Sequence, residues 1–240
     1  SPDSNFPSVA CLVQKAIGAN KAAAFDISAA CSGFLYALIT AKQFLKTGFY
    51  KNALVIASEK ITSLVDWTDR GTCVLFGDGA GALILEAEEG TGDSSDRGIL
   101  STDLNSDGTH RDLLYVDGGV STGTSGYLRM QGNQVFRHAV GKLAATATTA
   151  MERANVTTDD VDWIVPHQAN IRIIQGTAKK MGVPMENVIV TVQDHGNTSA
   201  ASIPLAMSVG AQNDQIKQGD LLVTEAIGGG LAWGAVVLRW

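Results

Sequence analysis

Three side chains in this sequence have the types and settings for acyl chemistry. Cys31 lies in AFDISAACSGFLYAL (24–38), between an apolar run suited to a strand and one suited to a helix. Ala29, Ala30, Ser32 and Gly33 leave room beside the thiol for an incoming carbonyl. A helix N-terminus at that point offers free N–H groups and the positive end of a dipole, which favour thiolate over thiol. His167 in VPHQANIRII (165–174) and Asn197 in DHGNTSAAS (194–202) close two further strand-like runs. An imidazole and a carboxamide can both donate hydrogen bonds to a developing oxyanion, so their convergence on a cysteine suits acyl transfer. Taken singly, each has a plainer reading. A free cysteine is more often a small buried apolar side chain, and Cys11 and Cys73 are read that way. GGG at 228–230 either brings a backbone N–H beside Cys31 or is a turn without function. His195 is expected to help fix the Asn197 loop, and His110 and His138 to lie at the surface.

These residues need two similar scaffolds. The stretch 22–60 runs apolar strand, small-residue loop, apolar helix, glycine turn, apolar strand, and 188–226 repeats that order. Cys31 precedes Leu54 by 23 positions and Asn197 precedes Leu221 by 24, so the two fall at matching strand-to-helix junctions. GDGAGALILE (77–86) and GLAWGAVVLRW (230–240) add a matching final strand. The pattern predicts an α/β fold of two duplicated halves packed about a pseudo-twofold axis. The expected division is an N-terminal half at 1–90, connecting loops at 91–130 and a C-terminal half at 131–240. A helix near 133–153 and a strand, loop and helix at 162–182 precede the second junction. Only the counterpart of that last loop and helix precedes the first, so the first half is expected to be incomplete, with an N-terminal segment missing from this chain. Glycines in FGDGAGA (76–82) are expected to form tight hairpin turns. Neither glycine cluster fits a nucleotide-binding loop.

Composition narrows the classes further. With 18 basic and 24 acidic residues the chain carries a net charge of −6, so nucleic acid and anionic membranes are not expected partners. No apolar run approaches the roughly 20 residues that span a bilayer, and no secretory leader opens the sequence, so the chain is expected to be cytoplasmic. Three cysteines without C-x-x-C or His/Cys clustering argue against a disulfide framework and a structural metal.

DISAACSGF, DRGTCVLFGDGAGA, VPHQANIRII, HGNTSAAS and GGGLAWG, in this order, closely resemble the β-ketoacyl-acyl carrier protein synthase III family. The resemblance implies a thiolase-like fold with layers α-β-α-β-α, a homodimer, no cofactor, and acyl-CoA and malonyl-acyl carrier protein as substrates. It implies that Cys31 is the acylated nucleophile, and that His167 and Asn197 polarise the malonyl thioester during loss of CO₂. The N–H groups of Cys31 and Gly229 would form the oxyanion hole. Arg70 would stack on the CoA adenine, Phe6 would reach across the dimer to the acyl pocket, and Arg172 with Lys179 and Lys180 would meet the acidic carrier protein. Ile227 departs from the Phe common in the family beside the glycine turn, and the second side of the adenine clamp, a tryptophan, would belong to the missing segment. Two other readings stay open here: a related condensing or acyltransferase enzyme with a different donor or acceptor, and a non-catalytic truncated fragment.

Overall fold

Two central helices, α2 (Gly33–Lys46) and α6 (Ser202–Gln212), are apolar on most sides because a sheet covers each of their faces. The computed structural model describes residues 2–240. On one side lie β1 (Asn52–Glu59) and β2 (Gly79–Glu86), antiparallel with Val55 opposite Leu83 and Ala57 opposite Gly81. On the other lies a sheet of β3 (Gly98–Ser106), β8 (Ala232–Arg239), β7 (Leu221–Gly228) and β6 (Trp163–Ile164), in that spatial order. Phe34 and Leu38 of α2, Ile203 and Met207 of α6, Val55, Leu222 and Val236 form one core between the sheets. All of β7 is buried, as expected of a strand covered on both faces. Its alternate residues Leu221 and Val223 pack instead with α3 (Gly132–Arg153) and α4 (Ile171–Met181), which cover the outer face. The sequence of layers is therefore sheet, helices, sheet, helices. Outside the smaller sheet, α1 (Val9–Ala16) buries no residue and is anchored by Asp26, whose carboxylate accepts the Val9 and Ala10 N–H groups at 2.8 and 2.9 Å.

The duplication is visible in the backbone. A 3₁₀ turn at Ala30–Ser32 leads into α2 and one at Ser199–Ala201 leads into α6, each opening on a left-handed residue, Ala30 at φ 48° and Ser199 at φ 51°. Aligned this way, Cys31 corresponds to Ala200 and Asn197 to Ser28, so the catalytic candidates share a junction type but are offset within it. The two turns touch: a methyl on Gly33 would lie 3.6 Å from the Ala200 side chain.

Three features differ from the sequence expectation. Residues 98–106, expected in a connection, form β3, paired along the length of β8 from Gly98 opposite Arg239 to Ser106 opposite Ala232. The second half thus begins well before residue 131. Its strand signal is hidden because Ser101 and Asp103 point inward: Ser101 bonds the Ala150 carbonyl, and Asp103 accepts from Thr146 at 2.6 Å and Arg153 at 2.9 Å. Residues 114–116 and 128–130 form a further antiparallel pair, β4 and β5. Conversely, the apolar run 22–28 forms no regular element and joins no ladder among the described residues. Finally, the first glycine cluster is a packing surface rather than a set of turns. A Cβ at Gly79 would lie 2.8 Å from Leu205, and one at Gly81 2.9 Å from Pro204, so α6 can seat on β2 only where side chains are missing.

Candidate active site

Cys31 sits in the turn before α2, 7% exposed, at the floor of a groove walled by Phe25, Ile56, Leu114 and Gly229. The hydroxyl of Ser199 donates to its Sγ at 3.6 Å. Burial pushes the thiol pKa up to about 11; the Ser199 hydrogen bond lowers it and the Glu59 charge raises it, but desolvation dominates. Burial thus opposes the thiolate that the helix N-terminus favours. Gly228 lies against the same backbone, where a Cβ would come within 2.6 Å of the Cys31 nitrogen. Only glycine permits that approach, and it holds the 228–230 turn beside Cys31.

His167 reaches the site because the β6–β7 ladder continues beyond β6. Val165 donates to the Val223 carbonyl and His167 to the Glu225 carbonyl, both at 2.8 Å. The imidazole is 3% exposed, and burial lowers its pKa to about 4, so it is neutral near pH 7. Its Nδ1 is 2.7 Å from the Ser202 hydroxyl. Asn197 is held by strand-like pairing with the first half: its N–H bonds the Leu75 carbonyl at 2.8 Å, and Gly77 donates to its carbonyl at 3.0 Å. Gly77 is required, since a Cβ there would lie 2.3 Å from the His195 carbonyl. Asn197 Oδ1 accepts the Ser199 N–H at 2.9 Å, which turns the NH₂ group outward as a donor. The single segment 197–202 thus contacts Cys31 through Ser199, supplies Asn197 itself, and supports His167 through Ser202.

Gln168, quoted in the sequence motif without a role, is the clamp behind this arrangement. Its amide joins the His167 loop to residues 189–192, from which the short helix α5 (Val192–His195) leads to Asn197. No local signal distinguishes it, because all but one of its partners lie some twenty residues away.

Other expected residues stand apart. Arg70 is exposed on the turn before β2, with Trp67, 65% exposed, on the same turn and unforeseen. Phe6 is 86% exposed. Arg172, exposed in the first turn of α4, lies over the Phe136 ring at 5.7 Å, and Lys179 and Lys180 are exposed in the last turn of that helix. His195 does not fix its loop through the ring, whose buried Nδ1 has no partner among the described residues; the backbone does so, with its N–H bonded to the Thr191 carbonyl at 3.0 Å. The His110 and His138 rings pack on each other, half-buried, with centroids 4.2 Å apart. Ile227 turns away from Cys31 into a core with Ala139, Leu143 and Ile173, so its departure from the family pattern does not reshape the nucleophile's surroundings.

Glu225, on β7 beneath the His167 loop, is 1% exposed, and its Oε2 has no partner among the described residues. Burial raises its pKa from 4.5 to about 8, with the His167 N–H pulling the other way. The folded state therefore holds a proton that the unfolded chain releases. Stability from this group is full below about pH 4.5 and drains as the pH rises towards about 8, at ~1.4 kcal/mol per unit. Glu225→Gln removes the ionisation, so the variant is expected to gain on the parent by a few kcal/mol between about pH 5 and about pH 8 in urea unfolding. Parallel pH profiles for parent and variant would show that Glu225 is not the titrating group.

No helix among the described residues is long and apolar enough to cross a membrane. Residues 25–108 match the family described as 3-oxoacyl-[acyl-carrier-protein] synthase III, and residues 151–240 match its C-terminal portion. The β-ketoacyl-[acyl-carrier-protein] synthase III of Roseobacter denitrificans is 71% identical over 238 residues, which are 99% of this chain and 74% of that protein. The protein of the same name from Ruegeria pomeroyi is 69% identical, with the same coverage. Among solved structures, the 3-oxoacyl-[acyl-carrier-protein] synthase III of Aquifex aeolicus superposes with a TM-score of 0.93 at 46% identity, covering 100% of this chain and 74% of that one. The synthase III of Thermus thermophilus gives 0.92 at 39% identity, again over 100% and 74%. The layered halves are thus those of the thiolase-like fold, and a cysteine, a neutral imidazole and an outward-turned carboxamide gathered by one segment stand in a chain that belongs to the 3-oxoacyl-[acyl-carrier-protein] synthase III family of condensing acyltransferases.

Proposed function

We propose that this protein initiates fatty-acid synthesis by a decarboxylative Claisen condensation of an acyl-CoA, acetyl-CoA foremost, with malonyl-acyl carrier protein. The observation that carries the reading is the 197–202 segment, which contacts Cys31 and His167 and contains Asn197. In the first step Cys31 Sγ attacks the acyl-CoA carbonyl, the carbon–sulfur bond to CoA breaks, and the thiol proton leaves with CoA as its free thiol. The N–H groups of Cys31 and Gly229 receive the oxyanion, a role favoured by the glycine turn packed on the Cys31 backbone. In the second step malonyl-acyl carrier protein loses CO₂. The electron pair left on carbon is delocalised onto the thioester oxygen, where His167 Nε2–H and Asn197 NH₂ donate hydrogen bonds. That carbon then attacks the acyl-Cys31 thioester and the bond to Sγ breaks, giving 3-oxoacyl-acyl carrier protein and the Cys31 thiolate, which takes a proton from solvent to restore the thiol. No cofactor takes part.

The finer assignments rest on the family. Arg70 contacts the CoA adenine. Arg172, Lys179 and Lys180, exposed along one helix in a chain of net charge −6, form the local basic surface for the acidic carrier protein. The protein works as a cytoplasmic homodimer in which the exposed Phe6 of one protomer closes the acyl pocket of its partner.

The test is intact mass after incubation with acetyl-CoA. One acetyl group is expected on the parent and none on Cys31→Ser, with peptide mapping to residue 31. A folded parent that takes up no acetyl group, or a Cys31→Ser variant that takes it up equally, would overturn the assignment.

A further inference from the structure

The proton on a neutral imidazole can sit on either nitrogen, and only Nε2–H can serve as the donor that decarboxylation requires of His167. The hydroxyl of Ser202, the first residue of α6, has two partners among the described residues: the Gln168 backbone N–H at 3.2 Å and His167 Nδ1 at 2.7 Å. A backbone N–H only donates, so Ser202 Oγ accepts from Gln168. Its single proton then has one place to go. If Ser202 donates to Nδ1, every group is satisfied and the imidazole proton lies on Nε2. If instead Nδ1–H donated to Ser202, the hydroxyl proton would be left without an acceptor in a site where Ser202 and His167 are both buried. An orphaned buried donor carries a penalty equivalent to a tenfold preference or more for the first arrangement.

The geometry points to Ser202 as a positioning residue that, oriented by the Gln168 N–H, fixes His167 as the Nε2–H tautomer. This assignment rests on the reading of His167 as the donor to the malonyl thioester. It has a counterpart a few residues earlier. Ser199 N–H pins Asn197 Oδ1 and so turns the NH₂ outward, as Ser202 pins Nδ1 and keeps the proton on Nε2. Two serines of one segment thus orient both donors by occupying their acceptor atoms. The arrangement requires an uncharged ring, and the desolvation that holds the His167 pKa near 4 keeps it so.

The test uses protein labelled with ¹⁵N at histidine, in which the nitrogen shifts and couplings report which ring atom bears the proton. His167→Gln identifies the His167 signals among those of His110, His138 and His195. In the parent, His167 is expected to show a protonated Nε2 and an acceptor-type Nδ1. In Ser202→Ala the two nitrogens are expected to move towards an averaged tautomer mixture. Acetyl uptake by Cys31 should hold, while kcat for malonyl-acyl carrier protein decarboxylation falls about tenfold with KM little changed. Ser202→Thr, which restores the hydroxyl, should recover both the spectrum and the rate. A parent ring protonated at Nδ1 would overturn the assignment, as would a Ser202→Ala variant with an unchanged tautomer and rate. A Ser202→Ala variant that loses acetyl uptake together with decarboxylation, without recovery by Ser202→Thr, would reduce Ser202 to a structural residue. Failure of the enzyme reading looks different: the tautomer would be as expected while the parent neither takes up acetyl nor releases CO₂.

Discussion

His167→Ala and Asn197→Ala are expected to keep taking up an acetyl group on Cys31 while releasing CO₂ from malonyl-acyl carrier protein some 10² to 10³ times more slowly than the parent. The two half-reactions make different demands. Acyl transfer needs the Cys31 sulfur and the backbone N–H groups of Cys31 and Gly229, none of which belongs to either side chain. Decarboxylation needs donors aimed where enolate charge develops, and loss of one such donor typically costs ~3–4 kcal/mol. Asn197 has a second duty, since its Oδ1 holds the Ser199 N–H and Ser199 in turn donates to Cys31. Asn197→Asp separates the two duties, because it keeps the acceptor and abolishes the donor. It should acylate normally and decarboxylate at least as poorly as Asn197→Ala. Cys31→Ser should lose acetyl uptake and condensation together. Label retained on the protein and labelled CO₂ in the headspace measure them independently. Decarboxylation at the parent rate by Asn197→Asp, or failure of folded His167→Ala to acylate, would require the roles to be reassigned.

A second large effect is expected on stability, from Gln168→Leu. The Gln168 amide, 1% exposed, donates from Nε2 to the carbonyls of Pro166 at 2.8 Å and Ile189 at 3.1 Å. Its Oε1 accepts the N–H groups of Thr191 at 2.8 Å and Val192 at 3.1 Å. Leucine has nearly the same size and fits the space, so packing changes little, but four backbone groups lose their partner. Each orphaned buried group costs ~1–3 kcal/mol, and partial access of water at the half-buried Val192 softens the total, which is expected to be about 4 kcal/mol or more. A midpoint shift of that size in urea, at unchanged m-value, is the expected observation. Because the amide ties the His167 loop to the segment leading to Asn197, decarboxylation should also fall in whatever fraction remains folded. A shift below about 1 kcal/mol would mean that these four groups find other partners.

What could be read from the sequence was what local patterns encode. Cys31 among alanines, His167 and Asn197 at strand ends, and two stretches with the same order of apolar runs are properties of residues close in the chain. They sufficed for the duplicated α/β architecture and for nominating the three side chains that the segment 197–202 contains or contacts. They failed wherever the determining partner was remote. The strand 98–106 reads as a connection because Ser101 and Asp103 are buried against α3, and their polarity erases the alternation that marks a strand. The glycines of 77–81 looked like turns because nothing nearby reveals that Pro204, Leu205 and the His195 carbonyl press on them. The same limit governed the chemistry. A helix N-terminus, visible in the sequence, argues for a thiolate at Cys31, but the burial that opposes it is assembled from both halves of the chain. The donor ends of His167 and Asn197 were likewise set by Ser202 and by the Ser199 N–H, which no composition or spacing rule singles out. Residue type and periodicity are short-range and survive in one dimension. Desolvation and hydrogen-bond direction depend on which distant groups surround an atom, and only the packed tertiary structure fixes those.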